Sequence, residues 1–97
     1  MGEKILIVED HHGTRKNVSR FLQSQGYSVV EASDGLEALS RLKKGGIDIV
    51  ISDFALPKIY GLALVAEIRS RWPAIGVIIM SAYLAEEAGK VLIERES

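Results

Sequence analysis

Three apolar runs of the chain end in carboxylate or hydroxyl residues. The first run is followed by Glu9 and Asp10, the second by Asp53 and the third by Ser81. If these runs are parallel strands, their carboxyl ends meet at one rim of a sheet, where ligands bind in open α/β folds. Clustered carboxylates repel one another unless a cation lies between them, and Mg²⁺ prefers such oxygen ligands. A carboxylate beside Mg²⁺ can attack a phosphoryl group, so the pattern predicts Mg²⁺-dependent phosphoryl chemistry.

Each of these residues taken alone has a simpler interpretation. An acidic residue after a strand often caps the following helix, and Asp10 could do only that. The prediction therefore depends on three separate strands ending in this way. His11 and His12 follow the acidic pair, but adjacent histidines point in different directions and Mg²⁺ prefers oxygen, so we interpret them as a loop pair.

The elements that must position these groups are short and alternate in type. Apolar, β-branched composition predicts four strands. Their predicted ranges are Lys4–Val8, Ser28–Ala32, Ile47–Ser52 and Ala74–Met80. Strands alternating with helical segments predict a parallel sheet with right-handed crossovers and helices on both faces.

Apolar residues at helical spacing predict the segments between the strands. The stripes are Val18, Phe21, Leu22 and Gln25, of which the first three are apolar; Leu36, Leu39 and Leu42; Leu62, Val65 and Ile68; and Leu84, Ala88, Val91 and Leu92. Gly26 and the pair Gly45–Gly46 are expected to end the first two helices, and Asp34 with Glu37 forms a capping-box-like start. For the last segment a strand over Lys90–Glu94 competes with the helix, and we favour the helix.

Composition excludes several classes of function. The 97 residues predict a single domain over residues 1–97, and 47% of them are hydrophobic. The absence of cysteine excludes disulfides, thiolate metal sites and cysteine nucleophiles. Twelve basic and thirteen acidic residues give a net charge of −1, which predicts no direct binding to nucleic acid or anionic lipid. No apolar run is long enough for a membrane span, and we expect a cytoplasmic protein.

Three local motifs resemble those of one family. KILIVEDH at residues 4–11, DFALPKIYG at residues 53–61 and IIMSA at residues 78–82 resemble response-regulator receiver domains in residue type, order and spacing. The similarity covers essentially the whole chain. It implies a flavodoxin-like fold and a role in two-component signalling.

Carried over residue by residue, the resemblance implies a specific site. Asp53 would accept a phosphoryl group from a histidine kinase or phosphotransfer protein. Glu9, Asp10 and Asp53 would bind Mg²⁺ together with the backbone carbonyl of Ala55, and Ser81 would contact the phosphoryl group and act as the switch. Such a domain is a phosphoacceptor rather than an enzyme with turnover, and it acts on a downstream protein partner.

The chain departs from the family pattern after the fourth strand. The family continues into a fifth strand that ends in a lysine and then a fifth helix, and no such segment is found here; Lys90 comes too early to correspond to that lysine. An uncovered edge on the fourth strand would favour pairing between chains, so we expect a homo-oligomer through that edge.

Two other functions stay open on the sequence. The absent lysine favours a pseudo-receiver, an interaction or dimerisation module without phosphoryl cycling, whereas the acidic cluster opposes it. A small Mg²⁺-dependent phosphatase on a similar sheet needs a second carboxylate two residues after the nucleophile, and that position is Ala55.

Overall fold

A computed structural model describes residues 2–53, 61–80 and 91–94. The elements are, in chain order, β1 (Lys4–Val8), α1 (His12–Ser24), β2 (Ser28–Ala32), α2 (Gly35–Lys43), β3 (Ile49–Asp53), α3 (Gly61–Arg71), β4 (Gly76–Met80) and β5 (Val91–Glu94). The predicted bounds of the first two strands are confirmed. The third and fourth strands begin at Ile49 and Gly76, two residues later than the apolar runs suggested.

The strands form one sheet in the order β2-β1-β3-β4-β5. The first four are parallel, with Val8 opposite Ser52 and Ile51 opposite Ile78 in the register. β1, β3 and β4 are therefore neighbours, as the predicted convergence of their carboxyl ends requires. The flavodoxin-like arrangement of four parallel strands is confirmed.

The two faces of the sheet are covered differently. Leu6 and Val8 of β1 face a core that includes side chains of α2 and α3, among them Leu64 and Ile68, which are fully buried. Ile7, also of β1, lies on the other face and is buried as well. There it neighbours Glu31 in the β2 register, and Glu31 is bound by side chains of α1. Helices thus lie on both faces, which confirms the predicted layering.

Local capping fixes the ends of α1 and α2. Asp34 is the N-cap of α2 and its carboxylate accepts a hydrogen bond from the Glu37 amide at 2.7 Å. The Glu37 carboxylate in turn accepts from the amide of Ser33 at 2.8 Å. This confirms the predicted helix start. α1 ends before Gly26, whose φ of 96° is a conformation that glycine adopts without strain.

The predicted apolar stripes are only partly right. Phe21, Leu36 and Leu62 are 63%, 54% and 57% exposed, so three of the predicted inward positions face solvent. In α1 the buried residue is instead Ser19. This helix covers the polar residue Glu31, so the face of α1 that packs on the sheet is partly polar. The spacing of apolar residues alone therefore predicts the wrong inner face.

The prediction of a helix through the last segment is wrong for residues 91–94. They form β5, which pairs antiparallel with β4, with Ile78 opposite Ile93. The competing strand interpretation therefore holds for these four residues. The expectation of an open β4 edge is also wrong, because β5 occupies that edge, and the predicted self-association through it loses its basis. β5 contains no lysine and does not supply the residue that ends the family's fifth strand.

None of the helices in the described part of the chain is long and apolar enough to cross a membrane.

Candidate functional site

The carboxyl ends of β1 and β3 bring three carboxylates together. Glu9 and Asp10 follow β1 directly, and Asp53 is the last residue of β3. One carboxylate oxygen of each of these residues lies within 4.8 Å of the others. The structure therefore brings the three predicted acidic residues to one point on the rim, as the parallel register requires.

Burial sets the electrostatics of this acidic site, which consists of Glu9, Asp10 and Asp53. Glu9 and Asp53 are 3% and 7% exposed, whereas Asp10 faces solvent. Burial, with the charges of Asp53 and Asp10, raises the pKa of Glu9 to about 7 although the amide of His11 acts in the opposite direction. That amide donates to the Glu9 carboxylate at 3.0 Å. The negative charge of Glu9 is therefore disfavoured relative to an exposed glutamate.

The donor set fits a hard divalent cation. Mg²⁺ is usually held by one or two carboxylates together with waters, and this site offers three carboxylates, of which two are buried and one faces solvent. Within the described residues the contacts to these side chains include no Lys or Arg ion pair to Glu9 or Asp10. Clustered carboxylates disfavour one another's negative charge, and a metal ion between them relieves that repulsion.

The histidines after the acidic pair have structural roles. His11 is the N-cap of α1, and its Nδ1 accepts a hydrogen bond from the amide of Thr14 at 3.2 Å. His12 begins α1, and its Nδ1 lies 3.1 Å from a guanidinium nitrogen of Arg15. The prediction of a loop pair is therefore wrong for His12, which lies in α1, and His11 caps that helix.

A second charged cluster lies next to the acidic site and was missed by the sequence analysis. The guanidinium of Arg15 donates from Nη1 to the backbone carbonyl of Glu9 at 2.8 Å and from Nε to Glu31 at 3.0 Å. Lys16 donates to the other carboxylate oxygen of Glu31 at 3.2 Å. The only available signal was a glutamate inside the apolar strand SVVEA, which calls for a basic partner on the covering helix.

Two of the predicted site residues, Ser81 and Ala55, lie outside the described residues.

The fold and the rim together define a class: a doubly wound parallel sheet with a cluster of carboxylates at its carboxyl edge. The family model for the response regulator receiver domain matches residues 5–96. The chain belongs to the response regulator receiver domain family, which confirms the resemblance seen in the motifs. It is a receiver domain of two-component signalling.

Curated relatives place this domain in different contexts. The chain is 43% identical over 86 residues to the sensor kinase CckA of Brucella abortus, covering 87% of this chain and 9% of that protein. It is 36% identical over 83 residues to the sporulation initiation phosphotransferase F of Bacillus subtilis, covering 86% of this chain and 67% of that protein. The chain thus spans only a small part of the sensor kinase.

Solved structures agree in fold. The response regulator TrrA of Thermotoga maritima, determined with Mg²⁺ and a beryllium fluoride, matches with a TM-score of 0.79 and 30% identity over 90% of this chain and 77% of that one. A structure of histidine kinase ThkA in complex with TrrA matches with a TM-score of 0.79 and 36% identity, covering 84% of this chain and 70% of that one.

Proposed function

We propose that the chain functions as one receiver domain that accepts a phosphoryl group on Asp53 from a histidine kinase or phosphotransfer protein. The observation that carries this proposal is the convergence of three carboxylate oxygens within 4.8 Å at the carboxyl edge of the sheet. Asp53 ends the central strand β3, between β1 and β4 in the sheet. An incoming phosphodonor therefore meets it at the rim.

The acidic site is proposed to hold Mg²⁺ through Glu9, Asp10 and Asp53, with the backbone carbonyl of Ala55 as a further ligand. The bound ion supplies positive charge that neutralises the oxygens of the transferring phosphoryl group. The protein's part is positional. β1 and β3, buried on both faces of the sheet around Val8 and Ser52, hold the carboxylates at fixed spacing.

In the transfer step a carboxylate oxygen of Asp53 forms a bond to phosphorus. The bond between phosphorus and the donor breaks, and its electron pair leaves with the donor. The product is an acyl phosphate on Asp53. Ser81 is proposed to contact this phosphoryl group and to act as the switch that a downstream protein partner recognises. The domain is proposed to act in the cytoplasm, as a phosphoacceptor without turnover.

Labelling by a small phosphodonor tests the proposal. The protein is incubated with Mg²⁺ and acetyl phosphate, and its intact mass is measured. We expect the gain of one phosphoryl group in the wild type, no gain in Asp53→Asn, and no gain in the wild type when the metal is chelated. Asp48→Asn is the matched control, because Asp48 precedes β3 at the opposite end of the sheet and its amide variant still offers an oxygen to the Lys4 amide.

Each outcome has a defined meaning. A folded wild type that is not labelled would contradict the proposal and favour the pseudo-receiver. Labelling that persists in Asp53→Asn would place the phosphoacceptor elsewhere. Continuous release of phosphate from the donor would favour the phosphatase.

A further inference from the structure

We infer that Arg15 is a positioning residue of the acidic site: its guanidinium holds the Glu9–Asp10 peptide in the orientation that metal binding needs. The inference rests on the proposed function, because it concerns the same Mg²⁺ site. Arg15 does not touch the metal or the phosphoryl group in this role. It acts through the backbone of two residues that do.

The contacts of Arg15 connect three elements. Nη1 donates to the Glu9 carbonyl oxygen at 2.8 Å, and Nε donates to Glu31 Oε1 at 3.0 Å. Its side chain is only 14% exposed. Because the guanidinium is planar and its donors are fixed relative to one another, a bond at Nε to β2 sets the direction in which Nη1 points. The orientation of the hydrogen bond to the Glu9 carbonyl is therefore fixed by the bond between Arg15 and Glu31.

The Glu9 carbonyl controls the geometry of the acidic pair. It belongs to the same planar peptide unit as the amide of Asp10, so fixing the oxygen fixes the rotation of the whole unit. On the other side of Glu9, its amide donates to the Ala32 carbonyl at 3.1 Å. Glu9 is thus held to β2 through its amide and to Arg15 through its carbonyl. Losing the second bond removes the restraint on the Glu9 carbonyl, although the His11 amide still binds the Glu9 carboxylate.

Glu31 is a firm anchor for this arrangement. Its second carboxylate oxygen accepts a hydrogen bond from Lys16 at 3.2 Å, and the hydroxyl of the buried Ser19 also contributes to lowering the pKa of Glu31. Lys16 binds the same glutamate, and among the described residues its hydrogen bond goes to Glu31 and not to the Glu9 carbonyl. The two neighbouring basic residues therefore share the anchor, but only Arg15 links it to the acidic site.

The test compares Arg15→Lys with Lys16→Gln in the full chain. The lysine keeps the charge but offers one nitrogen in place of the planar fork. Binding of Mg²⁺ alone is followed by NMR through the backbone amides of Asp10 and Asp53. We expect the Mg²⁺ dissociation constant to rise roughly tenfold in Arg15→Lys, the lower end of the usual effect of residues that orient metal ligands. In Lys16→Gln it should stay within about twofold of the wild-type value, as for a solvent-exposed ion pair.

A kinetic measurement separates positioning from a general loss of structure. The rate of labelling by acetyl phosphate is measured against Mg²⁺ concentration. We expect Arg15→Lys to need more Mg²⁺ for half of the maximal rate and to reach the wild-type rate at saturation. Glu31→Gln removes the anchor charge but keeps Arg15, so it should shift the Mg²⁺ requirement in the same direction by less, and it serves if Arg15→Lys fails to fold.

The outcomes distinguish this inference from the proposed function. A wild type that binds no Mg²⁺ overturns the proposed site, and with it the role of Arg15. A wild type that binds Mg²⁺ while Arg15→Lys binds it equally well overturns only the role of Arg15. Equal weakening in Arg15→Lys and Lys16→Gln also overturns that role, because the bond to the Glu9 carbonyl would then have no effect of its own.

Discussion

Glu9 directly follows β1 and Glu31 lies in the adjoining strand β2, and the surroundings of these two glutamates shift their pKa values in opposite directions. Burial and two neighbouring carboxylates raise the pKa of Glu9 to about 7. Burial also acts to raise the pKa of Glu31, but hydrogen bonds from Lys16, Arg15 and Ser19 outweigh it, and the pKa is lowered. Glu31 is paired with two basic side chains of the protein, whereas Glu9 lies beside two other carboxylates.

This difference separates a glutamate that holds the fold together from one that is proposed to bind a cation. Glu31 ties α1 to β2 and its charge is neutralised by the protein itself. Among the described ion pairs none involves Glu9. A cation bound at Glu9 would therefore stabilise the folded state. The two sites are joined by Arg15, which binds the Glu31 carboxylate and the Glu9 backbone.

Removing each charge should change stability in opposite directions. At pH 8 without metal, Glu31→Gln should lower the free energy of unfolding by about 1.5 kcal/mol, because it weakens charge-assisted hydrogen bonds to a largely buried Arg15. Glu9→Gln should raise that free energy, because it removes a charge that burial and neighbouring anions disfavour. Urea unfolding of the two variants and the wild type measures both changes. A loss of stability in Glu9→Gln would show that the carboxylate is already compensated within the protein.

The next largest effect is the pH dependence of stability and of Mg²⁺ binding that proton binding at Glu9 should cause. Its pKa is higher in the folded protein than in the unfolded chain, so the folded state binds more protons between about pH 4.5 and 7. The contribution of Glu9 to the free energy of unfolding without metal should therefore fall as pH rises through this window. Because Mg²⁺ must displace that proton, its dissociation constant should rise as pH falls below 7, by at most about tenfold per pH unit or ~1.4 kcal/mol.

Unfolding curves and Mg²⁺ titrations at several pH values check this expectation. Glu9→Gln is the control, since it retains His11 and His12 but lacks the carboxylate. The difference between the wild type and this variant isolates Glu9. A wild-type curve parallel to that of the variant over pH 5–7 would contradict the raised pKa.

The acidic site could be predicted from sequence because it follows from topology. Once β1, β3 and β4 are neighbours in a parallel sheet, the residues after Val8 and at the end of β3 must meet. Apolar runs with β-branched residues reveal those strands directly. The convergence of Glu9, Asp10 and Asp53 could therefore be predicted without knowledge of side-chain packing.

The Arg15 contacts and β5 could not be predicted in the same way. Which side of α1 faces the sheet depends on the polar contact with Glu31, whereas the spacing of apolar residues pointed to Phe21, which is 63% exposed. Residues 91–94 carry both helical and extended patterns. Their state is decided by pairing with β4, a contact that no local pattern records.

The smallest effect distinguishes the two cations that bind Glu31. The Lys16 side chain is 41% exposed and that of Arg15 is 14% exposed, so solvent weakens the Lys16 pair more. Double-mutant cycles should give a coupling energy of about 1 kcal/mol for Arg15 with Glu31 and no more than about 0.5 kcal/mol for Lys16 with Glu31. Urea unfolding of the single and double variants with Arg15→Gln, Lys16→Gln and Glu31→Gln supplies the cycles. Equal coupling energies would mean that Arg15 binds Glu31 no more firmly than a surface lysine does. They would contradict the inference that Glu31 orients Arg15 toward the Glu9 carbonyl.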